Sequence, residues 1–175
     1  MQVSLLPYTT IDGIRTVPDS EIKQLFTRTA REGLDKIVFY EGTIKTEDDF
    51  LTAVKYKECL FYLVKSKKET IGYVWLNRFE NHTARYHFCA FTDYWGHLEE
   101  VASTIMTTLM YMEDTEGNYF FDLLTGFIPA WNKRAIQFTL KNGGYSAGII
   151  PNAIWNSEKQ KSEDAVFIYY TRGDL

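Results

Sequence analysis

Between Cys59 and Met112 the apolar residues change their spacing once, and this change restricts the chain to a sheet with a helix laid across it. Residues 59–65, 70–79 and 84–91 are rich in β-branched and aromatic side chains, which suit a pleated, half-buried surface. The polar turns Ser66-Lys67-Lys68-Glu69 and 80–83 join them, so the three runs are read as an antiparallel meander. From Leu98 the period lengthens. Leu98, Val101, Ile105, Leu109 and Met112 recur every third or fourth residue, with Ala102 and Met106 beside them, so one side of a long helix is buried.

The flanks extend this pattern. A short extended stretch around 14–17 precedes Pro18 and Asp19, which open a helix carrying Ile22, Leu25, Phe26 and Ala30 on one face. Gly33 ends it, and residues 35–42 read equally as a short strand or a turn of helix. Thr46 before Glu47-Asp48-Asp49 caps a second helix reaching to about residue 57, since acids favour the positive end of the helix dipole. Beyond the long helix, Glu116-Gly117-Asn118 is a stop, and 119–126 is an apolar run fit for a buried strand. Pro129 bars a helix there. Asn132 is the next N-cap, with Trp131 and Ile136 at the two positions of a hydrophobic staple. That helix, 133–141, ends at Gly143-Gly144. Strands 145–150 and 165–171 close the chain around a charged loop at 156–164. The expected order is β-α-α-β-β-β-α-β-α-β-β, a mixed α/β sheet with helices on its faces. With no repeat or low-complexity linker, residues 1–175 read as one domain.

Charge and cysteine usage exclude several functions. The formal net charge of -4 gives no global basic field to draw nucleic acid or a membrane surface. Cys59 and Cys89 lie in apolar runs and read as buried reduced thiols. No apolar run spans a bilayer and the amino terminus lacks signal-peptide features, so a cytoplasmic protein is expected. No metal-ligand spacing, phosphate-binding Walker loop or nucleophile elbow is present. Aromatic residues make up 16% of the chain, which suits a ring-rich core, a ring-lined groove or a homodimer surface.

Two passages carry a resemblance. Asp93-Tyr94-Trp95-Gly96-His97-Leu98, between the third meander strand and the long helix, is similar to the Tyr-Trp-Gly-x-Gly stretch of ribosomal-protein-type acetyltransferases. The stretch from Ile128-Pro129-Ala130-Trp131-Asn132 through Ala135 to Gly144-Tyr145 resembles the Asn-x-x-(Ala/Ser) helix ending in Lys-x-Gly-Phe. With the element order, these identify residues 10–172 as similar to the GNAT (Gcn5-related N-acetyltransferase) family. The resemblance implies an acyl-CoA-dependent N-acyltransferase using acetyl-CoA as co-substrate, and a small-molecule or protein amine as acceptor. It places the pyrophosphate at the backbone N–H groups of a helix start and the pantetheine arm in a gap between splayed strands.

Carried over by position, the resemblance assigns the backbone of Phe88, Ala90 and Phe91, with Gly96, His97 and Asn132, to the cofactor. His87, on the third meander strand, is either a general base or a filler of the sheet face. Asp122, inside an apolar run, either holds the amine or forms an ion pair, with Arg85 or Arg134 as partner. Tyr145 is either packing or an acid. The cluster 65–68 reads as a solvated tip and the loop 156–164 as a simple hairpin loop or a substrate flap.

The family pattern breaks at three places. Asp93 stands where Gln or Arg is expected, Leu98 replaces a second small residue, and Glu99 and Glu100 occupy the first helical turn. These acids predict weak acetyl-CoA binding. Thr139 occupies the place of a phenol that reprotonates the leaving thiolate in many members. The alternative is a catalytically inactive binding or structural module, a divergence similar to that of small phage or prophage GNAT-like proteins.

Overall fold

The computed structural model describes residues 2–67 and 69–174. Nine strands and five α-helices follow in the chain: β1 (Val3–Pro7), β2 (Thr10–Ile11), β3 (Ile14–Arg15), α1 (Asp19–Arg31), α2 (Asp35–Val38), α3 (Glu47–Val54), β4 (Leu60–Ser66), β5 (Glu69–Glu80), β6 (Thr83–Ala90), α4 (Leu98–Met110), β7 (Leu123–Pro129), α5 (Lys133–Lys141), β8 (Tyr145–Asn156) and β9 (Lys161–Thr171). Seven of the strands form one mixed sheet in the order β1-β4-β5-β6-β7-β9-β8. Every neighbouring pair in it is antiparallel except β6 and β7, the two strands joined through α4.

Strand alternation divides the core between the two faces. Tyr62, Val64, Val74, Leu76 and Ala84 pack with Val101, Ile105 and Leu109 of α4 on one face. Phe61, Leu63, Tyr73, Cys89 and Phe91 pack on the other with Ile22, Leu25 and Phe26 of α1 and Phe50 of α3. Stepping one residue along β4 or β6 therefore changes core. Thr46 closes the capping box expected of α3, its hydroxyl accepting from Asp49 N–H while the Asp49 carboxylate accepts from Thr46 N–H.

Several sequence expectations need correction. The first strand of the sheet is β1, not the stretch around 14–17; Ile14 and Arg15 form a two-residue ladder with Thr10 and Ile11 outside it. In α1 the inward position is Thr29, not Ala30, because the Thr29 hydroxyl lies 2.9 Å from that of Tyr73 under the helix. The helix at Glu47 stops at Val54 rather than near residue 57, and residues 35–38 are helical. The strand read at 119–126 runs instead from Leu123 to Pro129, following its ladder with β9.

The charged loop at 156–164 is mostly strand. Asn156 pairs with Lys161, Trp155 with Ser162 and Ile154 with Glu163, so the segment is the end of a hairpin whose turn is 157–160. That turn is tied down: Ser157 N–H and Oγ both donate to the Tyr40 carbonyl at 3.0 Å. The staple also fails, since Trp131 is 40% exposed while Ile136 packs on the α4 core. Asn132 still caps α5, its side-chain oxygen accepting from Ala135 N–H at 3.1 Å. Of the tip at 65–68, Lys65 reaches Thr70 and Glu21, and Lys68 lies outside the described residues.

Candidate active site

The sheet opens between β6 and β7. The two strands pair only at Thr83–Leu123, Ala84–Leu124 and Arg85–Thr125. Past that point β6 stays on β5 as far as Ala90, and β7 stays on β9 as far as Pro129. Phe91 N–H donates to the Ile71 carbonyl at 3.0 Å, so the backbone groups of Cys89 and His87 also face β5. Those of Tyr86, Phe88 and Ala90 consequently face the gap. Gly126 suits this junction because a Cβ there would meet Ile168 at 3.1 Å and the Tyr86 ring at 3.5 Å.

A cavity of about 750 Å3 fills the gap and reaches both faces of the sheet. That is ample for an extended ligand and a second small molecule together. On the α4–α5 side it is lined by Tyr86, Phe88, Asn132, Phe138, Thr139 and Tyr170. The Asn132 oxygen is spent on its cap, which leaves its amide N–H groups to donate into the cavity. Tyr170 packs edge-on against Tyr86 with centroids 5.5 Å apart, and its hydroxyl donates to the Thr139 carbonyl at 3.4 Å. Burial, reinforced by Tyr170, raises Tyr86 well above the ordinary phenol range. The phenol that α5 lacks at Thr139 is thus matched by two phenols from β6 and β9.

At the end of β6, residues Thr92–His97 form a tight helical turn. Trp95 donates its indole N–H to the Ala90 carbonyl at 3.1 Å and lies under the Arg134 guanidinium, 3.8 Å from the ring centroid. Asp93 is held by Arg28 at 3.0 Å and Glu99 by Lys141. Asp93 and Glu99, two of the three acids expected to repel a pyrophosphate, therefore already face cations. No atom lies within 4 Å of where a Gly96 Cβ would stand.

On the α1–α3 side His87 stacks on Trp75, with centroids 4.5 Å apart and planes 5° from parallel. Its Nε2 lies 3.2 Å from the Asn77 side-chain oxygen. Burial, with help from Arg85 and Arg78, pushes the His87 imidazole down to about 3. Tyr40, Arg78 and Phe127 line the same end, and burial pushes the Tyr40 phenol up to about 12. Burial also pushes the thiols of Cys59 and Cys89 up, to about 11 and about 12, leaving both as unreactive thiols.

The residues singled out from sequence therefore separate. His87, Phe88 and Asn132 line the cavity. Ala90 is not on its lining and gives its carbonyl to Trp95, and Phe91 is fully buried with its N–H spent on β5. Gly96 and His97 sit on the exposed turn beyond. Asp122 and Tyr145 lie outside the cavity. Asp122 is exposed just before β7 and pairs with Arg172 at 2.8 Å, not with Arg85 or Arg134. Tyr145 stacks on Tyr169 with centroids 5.4 Å apart, away from the gap. Sequence reasoning missed Trp75, Asn77 and Arg78 on the cavity lining, and Arg85 beside it. Arg85 carried a usable signal, standing two residues before His87 and so on the same face. Among the described residues no group of three or more His, Cys, Asp or Glu side chains could hold a metal ion, and no helix is long and apolar enough to cross a membrane.

No family model matches the chain, and no curated protein does. Solved structures do. A spermidine N-acetyltransferase from Vibrio cholerae, in complex with CoA and spermine, superposes with a TM-score of 0.72 at 12% identity, over 99% of this chain and 97% of that one. The self-immunity acetyltransferase MccE, with acetyl-CoA and AMP, gives 0.70 at 15% identity, over 97% and 92%. An N-acetyltransferase from Staphylococcus aureus gives 0.67 at 16% identity, over 98% of both chains. At these identities the likeness lies in the fold.

Proposed function

The chain adopts the GNAT fold, and we propose that it transfers an acyl group, acetyl in the first instance, from an acyl-CoA to an amine. The observation that carries this reading is the cavity through the sheet at the β6–β7 opening. It offers unpaired β6 backbone to an extended thioester arm on one side and a separate entrance for an acceptor on the other. The nitrogen attacks the thioester carbonyl, a C–N bond forms and the C–S bond breaks. The ammonium proton must leave, and the thiolate must be protonated.

The residues divide these tasks by position. Backbone N–H groups of Phe88 and Tyr86, with the Asn132 amide, orient the arm and donate to the developing oxyanion. Tyr86 and Tyr170, the phenols beside Thr139, pass a proton to the departing sulfur and regain it from solvent. His87 stays neutral and accepts hydrogen bonds from the incoming amine or its water, and the ammonium proton passes to bulk solvent at the open acceptor entrance. Asp122 and Tyr145 have no part, because neither reaches the cavity. The inactive-module alternative gains no support from neighbours that are acetyltransferases with bound CoA.

A thermal-shift titration with acetyl-CoA, run beside a free-thiol assay over a panel of amines, tests the reading. Saturable stabilisation and amine-dependent release of CoA are expected. No stabilisation at millimolar acetyl-CoA would end it.

A further inference from the structure

Two cations without an ion pair stand at the acceptor end of the cavity, Arg78 on its lining and Arg85 next to the lining residues Asn77, His87 and Phe127. Arg85 shares the sheet face of His87, and its guanidinium lies 4.7 Å from the centroid of the Phe127 ring. Its Nε is shielded from solvent and has no hydrogen-bond partner among the described residues. Other arginines differ in this respect. Arg28 is engaged by Glu32, Asp93 and the Thr70 carbonyl, and Arg172 by Asp122 and the carbonyls of Met110 and Phe121.

Arg78 lines the same end of the cavity. It stands where the β5–β6 register shifts between Asn77 and Glu80, with φ at +52°. A non-glycine residue held in the left-handed region at a bulge has its side chain re-aimed at a cost in backbone energy. The two guanidiniums also work against each other: after burial, Arg78 is the largest influence lowering Arg85. Nearby acids do not resolve this. Asp49 is committed to the N–H groups of Lys45 and Thr46, and Glu58 lies beside Lys57. Glu41 acts on the Arg85 charge without forming an ion pair or hydrogen bond with it.

A desolvated, unmet N–H beside a second cation destabilises the empty site, and an oxyanion bridging the two relieves both costs. The planar guanidinium fork matches carboxylate and phosphate oxygens in pairs. We propose that Arg85 and Arg78 bind an oxyanion carried by the acceptor, so that the acceptor is an amine bearing a carboxylate or a phosphate rather than a polyamine. A polyamine would bring further positive charge to a wall that already repels it. The amine half of this statement rests on the N-acyltransfer reading; the anion half rests on the arginines alone.

Arginine Nε–H signals followed by NMR in the full chain test it, with the Arg85 signal assigned by its loss in Arg85→Lys. Succinate, inorganic phosphate and spermidine are titrated separately at constant ionic strength. Saturable movement of the Arg85 signal with succinate supports the proposal with a carboxylate as the anchor, and movement with phosphate supports it with a phosphate. Weakening of either by tenfold or more in Arg78→Ala establishes the pair. An Arg85 signal that neither anion moves, an anion response confined to other arginines, or saturable movement with spermidine alone would overturn it. If acetyl-CoA gives no stabilisation while the Arg85 signal still responds to an anion, the acyltransfer reading falls and the anion site stands.

Discussion

On the α4–α5 side of the opening, Asp93 is held by Arg28, Glu99 by Lys141, and Arg134 lies on Trp95; on the α1–α3 side, Arg78 and Arg85 have neither ion pair nor hydrogen bond among the described residues. The same strand, β6, feeds both sides, its even-numbered residues facing α4 and its odd-numbered ones the opposite core. A side whose charges are paired is indifferent to being empty. A side whose charges are unpaired is destabilised until something arrives.

The largest effect expected from this contrast is in acid. His87 remains neutral in the fold down to about pH 3, whereas an unfolded imidazole protonates near 6.5. The unfolded state therefore binds the extra proton between those values. The His87 contribution is fully present above pH 6.5 and is lost as the pH falls toward 3, by up to about 4 kcal/mol. Urea unfolding at pH 7 and pH 4 checks it: His87→Gln should lose about 3 kcal/mol less than wild type over that interval. Equal losses would mean that the unpaired side is as open to protons as the paired one.

Next comes packing on the α5 side. A Cβ at Gly144 would stand 2.6 Å from Thr139 Cγ2 and 2.8 Å from Tyr170 Cζ. Gly144→Ala should cost about 3 kcal/mol and lower Tm by roughly 6–12 °C. A shift below about 2 °C would show that the phenol cluster yields, and that this side is not the rigid one.

The third effect has the opposite sign. Arg85→Met removes a partly buried charge without a partner and keeps an apolar stem on Phe127, so stability should rise by about 1 kcal/mol. A loss of that size would make Arg85 a structural residue and erase the contrast between the two sides. The smallest effect tests the paired acids. Glu99→Gln combined with Asp93→Gln should tighten acetyl-CoA by no more than about threefold, because exposed ion pairs already offset both charges. Titration calorimetry that found a gain of tenfold or more would restore the stronger repulsion expected from the acids at Asp93, Glu99 and Glu100. Trp131→Ala, once expected to matter through a buried staple, should now cost about 1 kcal/mol or less, given its exposure.

Local periodicity carried much of the fold. The spacing of Val101, Ile105 and Leu109 buried one stripe of α4, and alternation in 70–79 and 84–91 placed β5 and β6 within a residue or two. Thr46 and Asn132 were legible as caps because a capping bond spans only three residues. Legibility failed where a long-range partner decides the outcome. Residues 119–122 look like strand, yet the ladder begins at Leu123 because its partner β9 ends opposite it at Thr171. Residues 156–164 look like loop, yet cross-strand pairing and the bonds from Ser157 to Tyr40 make them a hairpin end. The site divides in the same way. Asn132 and His87 each stand at a recognisable place on their own element, and both line the cavity. Asp122 and Tyr145 drew attention by residue type alone, and their positions lie off the cavity.

The sequence by itself determined which segments alternate, which turn, and which face of each is apolar, since backbone sterics and side-chain burial act over a few residues. Only the tertiary structure decided which charges meet. Arg28 and Asp93 are 65 residues apart, and Lys141 and Glu99 are 42; whether such groups neutralise each other depends on where the sheet brings them. For Arg78 and Arg85, on neighbouring strands at one end of the cavity, the sheet brought no acid into ion-pair distance among the described residues. Coulomb energies and unmet hydrogen bonds depend on distance in space, and strand period does not encode that distance.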